Sequence, residues 1–176
     1  NWKAYVQKAL GPYLIGDVAE VGAGLGETTR ALRPGSQARS WACIEPDPAM
    51  AAAVAAAAGT GELGAGVASH CATLAQLPAE ASFDSIVYVD VLEHIEDDRG
   101  ELRLAAERLR PGGRIVVLSP GFPFLYSEFD RAIGHYRRYT KPMLRAIAPP
   151  GLSEVHSRYL DGAGLLASAA NRLLLR

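Results

Sequence analysis

Two carboxylates flank a glycine-rich turn in this chain, and their placement sets the chemistry open to it. The turn lies in Val18-Ala19-Glu20-Val21-Gly22-Ala23-Gly24-Leu25-Gly26, and Glu45 follows nineteen residues after the last glycine. Glycines let the backbone reverse sharply and let its N–H groups approach a ligand closely, with the next helix presenting its positive end. Glu45 closes the apolar run Trp41-Ala42-Cys43-Ile44, where a carboxylate can accept two hydrogen bonds from ribose hydroxyls. The set suits a nucleoside-bearing cofactor. The alternative is a strand-to-helix turn that holds no ligand.

The spacing separates the candidate cofactors. Nicotinamide and flavin dinucleotides use G-x-G-x-x-G, whereas Glu27 stands here where that third glycine would fall. Glu20 would repel a pyrophosphate but suits a sulfonium and an ammonium group. Glu-x-Gly-x-Gly-x-Gly therefore points to S-adenosylmethionine. Two later blocks follow, Phe83-Asp84-Ser85-Ile86-Val87-Tyr88-Val89-Asp90-Val91-Leu92-Glu93-His94 and Leu109-Arg110-Pro111-Gly112-Gly113-Arg114. With these, residues 13 to 119 resemble the class I S-adenosylmethionine-dependent methyltransferases. The resemblance implies that Gly22, Ala23 and Gly24 pass beneath the cofactor and that Glu20 faces its methionine end. It implies Glu45 on the ribose, Pro46 and Met50 beside the adenine, and Ala72, Thr73 and Leu74 at the adenine edge. Many relatives carry an aspartate in that last loop; here Thr73 or a backbone carbonyl would replace it. Asp90 and Val91 would line the methionine pocket, and S-adenosylhomocysteine would be the product.

The acceptor side is less determined. His94 falls at the mouth of such a site, where an imidazole could take a proton from a hydroxyl or amine; it could equally order the loop through a hydrogen bond. The run Tyr126 to Thr140 holds aromatics, His135 and the pair Arg137-Arg138. His-x-Arg-Arg-Tyr-Thr resembles the segment after the fifth strand in small-molecule methyltransferases of the ubiquinone-biosynthesis type. His135 and Tyr126 are candidates for substrate contact or for the base, and Arg137 and Arg138 for binding an anionic substrate group. Alternatively the arginines pair with Glu128 and Asp130 and the segment is a structural cap. The acidic run Glu96-Asp97-Asp98 and Glu101 reads as a helix start favoured by the macrodipole, with no metal site. No Asn-Pro-Pro-Tyr sequence follows the fourth strand, which disfavours methylation of nucleic-acid bases. The expected activity is methyl transfer to an O, N or C atom of a small molecule. A Rossmann NAD(P)-dependent oxidoreductase and a non-catalytic cofactor-binding partner subunit are the alternatives.

Short β-like runs alternate with helical ones, the pattern of a Rossmann-like, doubly wound, mostly parallel sheet with helices on both faces. Helices are expected at about Trp2 to Leu10, Pro48 to Ala58, and Leu102 to Leu109. Strands are expected at Asp17–Val21, Ser40–Glu45, Gly66–His70, Asp84–Val89 and Arg114–Ser119, with a further strand at Leu152–Leu160 and a helix through Leu174. One domain, 1–176, carries a cap-like segment at about 120–148. Of the antiparallel pair that closes such sheets only Leu152–Leu160 is a candidate, and the chain opens on Asn1, so the sequence is expected to be incomplete. A formal charge of −1 with 49% hydrophobic residues gives no footprint for nucleic acid or an anionic membrane. The apolar stretch Leu165 to Leu175 is too short to span a bilayer. Cys43 and Cys71 read as small core residues of a protein in a reducing, cytoplasmic compartment. A homo-oligomer is compatible with all of this.

Overall fold

A computed structural model describes residues 2–160. Its centre is a five-stranded sheet in the order β3-β2-β1-β4-β5. The strands are β1 (Ile15–Val21), β2 (Gln37–Ile44), β3 (Val67–His70), β4 (Phe83–Val89) and β5 (Leu109–Leu118). Every pairing is parallel, so each return runs through a crossover. Chain order moves from β1 outward to β3 and then back to β4 on the other side of β1. That reversal opens a crevice at the carboxyl ends of β1 and β4, where ligands bind in sheets of this kind.

The central strands β1, β2 and β4 carry the buried core, which packs on two faces of the sheet. Val18, Trp41, Cys43 and Val87 pack with Val6 and Leu10 of α1 (Trp2–Leu10), Leu32 of α2 (Glu27–Leu32) and Val54 of α3 (Pro48–Gly59). On the opposite face, Ala19, Ile44, Ile86 and Tyr88 pack with Leu102 and Ala105 of α4 (Asp98–Glu107). Near-continuous apolar strands follow from this double cover. α3 begins where expected, with Asp47 accepting from the Ala49 and Met50 N–H groups and Pro48 in the first turn, as N-cap chemistry dictates. α4 starts four residues before the expected Leu102, because Asp97 accepts from the Gly100 N–H and caps it.

After β5 the chain turns away through Phe122, a non-glycine residue at φ 65°. It forms the short helix α5 (Glu128–Ala132), returns so that Tyr139 N–H donates to the Pro120 carbonyl at 2.9 Å, and enters α6 (Lys141–Ile147). Thr140 caps α6 through the Met143 N–H. Leu152–Leu160 is not a strand. Val155 is 74% exposed, and the segment is held by side chains instead, through Arg145 on Glu154 and Tyr159 stacked on Phe122. The expected helix through Leu174 lies outside the described residues. Cys43 is in the core, but Cys71 is exposed, since it falls one residue beyond the end of β3. No helix among the described residues is long and apolar enough to cross a membrane.

Candidate active site

The glycine turn leaves β1 with Gly22, Gly24 and Gly26 all at positive φ, which L-residues with a Cβ resist. Gly22 is also required for space: a Cβ there would lie 2.5 Å from Val91 Cγ2. Val91, expected in the methionine pocket, therefore packs directly on the turn. A Cβ on Gly24 would meet nothing within 4 Å, so this glycine borders open space that a side chain would fill. The Gly24 N–H donates to Glu45 Oε2 at 2.9 Å, and the Asp47 N–H donates to Oε1 at 2.9 Å. Glu45 thus ties the turn to the end of β2, and each of its oxygens keeps a further lone pair.

Glu20 is 1% exposed. Its Oε2 accepts from Thr29 Oγ1 at 2.5 Å and from Trp41 Nε1 at 2.7 Å, while its buried Oε1 has no partner among the described residues. Burial pushes the carboxyl up to about 7 against those two hydrogen bonds. A buried oxygen without a donor is costly, and an ammonium group reaching it would remove that cost. Pro46 and Met50 are exposed at the start of α3. The Ala72 N–H bonds the Glu45 and His70 carbonyls, and Thr73 forms a capping box with Gln76. Leu74 is 1% exposed in the core, so its side chain serves packing, and an adenine edge would meet this loop through its backbone.

Asp90 ends β4 at φ 53°, a strained conformation for a non-glycine residue. Its carboxyl is pushed up to about 6 by desolvation and by Glu93, opposed by His135. It borders a cavity of about 150 Å³ lined also by Trp2, Val6, Glu27, Thr28 and Val89. A larger cavity, about 440 Å³, lies between Arg33 and the loop after α3 and includes none of the expected site residues.

The cap converges on one buried carboxylate. Asp130, with no exposed surface, accepts from Arg138 Nε at 2.8 Å and Nη2 at 3.0 Å, from the Ser127 N–H and hydroxyl at 2.9 Å, and from His135 Nδ1 at 2.9 Å. Burial opposes its ionised form, but these hydrogen bonds overcome it and hold the carboxyl well below the usual range. His135 is set edge-on to His94, ring centroids 4.6 Å apart, and Tyr126 Oη donates to the His135 carbonyl at 2.6 Å. The two histidines of the sequence reading are therefore neighbours. The three polar residues grouped with them as substrate ligands are committed elsewhere. Arg138 forks onto Asp130, Tyr126 holds backbone, and Arg137 bonds the Ile95 and Glu96 carbonyls and pairs with Asp98 at 2.7 Å. Of the alternative pairings, Asp130 takes Arg138, whereas Glu128 takes Arg131. Two site residues escaped sequence reasoning. Asp130 orients His135 from five positions upstream, and Glu93 faces His135 at 3.9 Å. An acid five residues before a histidine was the available signal for the first; nothing local marked the second.

Residues 19–117 match the family described as methyltransferase domain. The chain belongs to this methyltransferase family. The chain also resembles solved structures at low identity. The YcgJ protein from Bacillus subtilis is 20% identical with a TM-score of 0.68, over 82% of this chain and 64% of that one. The N-methyltransferase NodS from Bradyrhizobium japonicum, in complex with S-adenosyl-L-homocysteine, is 21% identical with a TM-score of 0.64, over 86% and 73%. A Haloferax volcanii methyltransferase in complex with the activator Trm112 is 17% identical with a TM-score of 0.68, over 99% and 85%. No curated protein sequence matches at a significant level. The chain spans 64% and 51% of the length of the first two solved structures it resembles. The Rossmann-like class I fold is thereby established, and the glycine turn, the unpaired Glu20 oxygen and Glu45 fit S-adenosylmethionine as its cofactor.

Proposed function

We propose that this methyltransferase moves a methyl group from S-adenosylmethionine to an O, N or C atom of a small molecule bound between the end of β4 and the 121–139 cap. One observation carries the acceptor side: Asp130 pins His135 beside His94, at the carboxyl end of β4 and close to Asp90. When bound, S-adenosylmethionine supplies a methyl on a sulfonium whose sulfur departs without needing a proton. The protein's task is then alignment, exclusion of water and, for a hydroxyl or ammonium acceptor, removal of a proton.

In this reading the Gly22–Gly24 backbone and Glu45 hold the nucleoside, while Glu20 and Asp90 favour the positively charged methionine end. Asp130 accepts from His135 Nδ1, leaving Nε2 turned toward Glu93 and His94, so the acceptor's proton leaves into this cluster. Arg137 and Arg138 brace the cap, and substrate anion binding by them is not part of the reading. The exposed free thiol of Cys71 agrees with a cytoplasmic setting. The test is methyl transfer from radiolabelled S-adenosylmethionine to panels of small hydroxyl, amine and activated-carbon compounds, alongside RNA and protein. Label entering small molecules, and lost in His135→Ala, is expected. Label entering only RNA or protein would overturn the acceptor class.

A further inference from the structure

The hydrogen bonds at Asp130 fix the orientation of His135. Arg138 and Ser127 surround Asp130 with donors, and His135 Nδ1 completes the set at 2.9 Å, so Nε2 is turned away from it. Nε2 faces Glu93 Oε1 across 3.9 Å, too far for a hydrogen bond. Glu93 has no exposed surface. Its Oε2 accepts from Ser119 Oγ at 2.7 Å, and Oε1 has no partner among the described residues. A ring nitrogen and an unpartnered carboxylate oxygen therefore face each other in a buried place, with His94 beside them, and single ligand atoms of all three residues lie within 4.8 Å of one another.

We propose that Glu93, His94 and His135 hold a first-row divalent transition-metal ion of the Zn²⁺ type. Two imidazoles with one carboxylate suit such ions better than Mg²⁺ or Ca²⁺, with metal–ligand bonds of about 2.0–2.2 Å. Two tetrahedral ligands at those bond lengths lie about 3.3–3.6 Å apart, so the 3.9 Å gap would close by a few tenths of an ångström around an ion. Asp130 supplies the outer carboxylate that ligating histidines regularly bond through their other nitrogen. Three protein ligands, one of them the exposed His94, leave a coordination position open toward solvent, as in catalytic sites. Resting on the methyl-transfer reading, a hydroxyl of the acceptor in that position would be acidified by the ion, which would stabilise the alkoxide; with the cluster's lone pairs on the metal, its proton would pass to water instead of to His135.

Binding itself is tested without turnover. The chelator-treated protein, in a Cys71→Ser background to remove the exposed thiol, is titrated with Co²⁺ and read by its visible d–d absorption. One equivalent of low-coordinate Co²⁺, displaced by Zn²⁺, is expected. His94→Ala and Glu93→Gln should each weaken it at least about tenfold and Asp130→Asn about tenfold, while His70→Ala leaves it unchanged. His94 is exposed, so its variant keeps the fold, checked by circular dichroism. No d–d spectrum in the parent protein, or an unchanged one in His94→Ala, overturns the site. S-adenosylhomocysteine titrated into the same samples separates the two readings: binding of it without Co²⁺ overturns only the metal site, and Co²⁺ without it only the cofactor assignment.

Discussion

Glu20 is a carboxylate whose surroundings were built for it on one oxygen only. Thr29 and Trp41 satisfy Oε2, and burial raises the group from its ordinary 4.5 to about 7. The folded protein therefore binds a proton that the unfolded chain releases in this window. Stability from this group is full below about pH 4.5 and is lost as pH rises through about 7, a change of roughly 3 kcal/mol. Denaturant unfolding of the parent and Glu20→Gln should diverge across that window, the variant lacking this decline. Parallel curves for the two proteins would show that Glu20 does not titrate there. Asp130 runs the other way, because its carboxyl is held below the ordinary range and its contribution is lost only in acid. Arg138→Ala would leave Asp130 buried without its fork, at a cost of about 3 kcal/mol, measured as a lower urea midpoint; a loss under 1 kcal/mol would mark the pair as a surface-like contact.

At the scale of elements, the turn between β1 and α2 is where conformation and function meet. Gly22→Ala must place a Cβ 2.5 Å from Val91 at φ 70°. A destabilisation of about 1–3 kcal/mol follows, with binding of S-adenosylhomocysteine reduced more than the fold is. Near-parental calorimetric affinity in a folded Gly22→Ala protein would contradict the close approach. This turn was legible because glycine spacing and the two carboxylates are local signals, and β1, β4 and β5 because parallel strands covered on both faces, β5 only partly, read as apolar runs. Leu152–Leu160 misled: its apolar residues 152, 155, 159 and 160 are scattered among polar ones, and among the described residues no sheet edge pairs with them. Arg137 and Arg138 looked available because their partners Asp98 and Asp130 come from α4 and α5, and only the folded cap brings the charges together. The sequence likewise could not show that Leu74 is core or that His94 meets His135, since both depend on contacts across elements.

The whole molecule divides its labour along the carboxyl edge of the sheet. The ends of β1 and β2 are tied together by the Glu45 bonds to Gly24 and Asp47. The end of β4 and the cap meet instead through the His135–Glu93–His94 cluster, where we propose that the acceptor's chemistry lies. This arrangement makes the cofactor half the part on which everything else depends. The most direct measurement is calorimetric titration of S-adenosylhomocysteine into the parent protein and Glu45→Ala, with NADH as the competitor class. The account predicts one site for S-adenosylhomocysteine, none for NADH, and affinity about 10- to 100-fold weaker in Glu45→Ala, the worth of hydrogen bonds to a charged group. Binding of NADH alone, or S-adenosylhomocysteine affinity indifferent to Glu45, would contradict it.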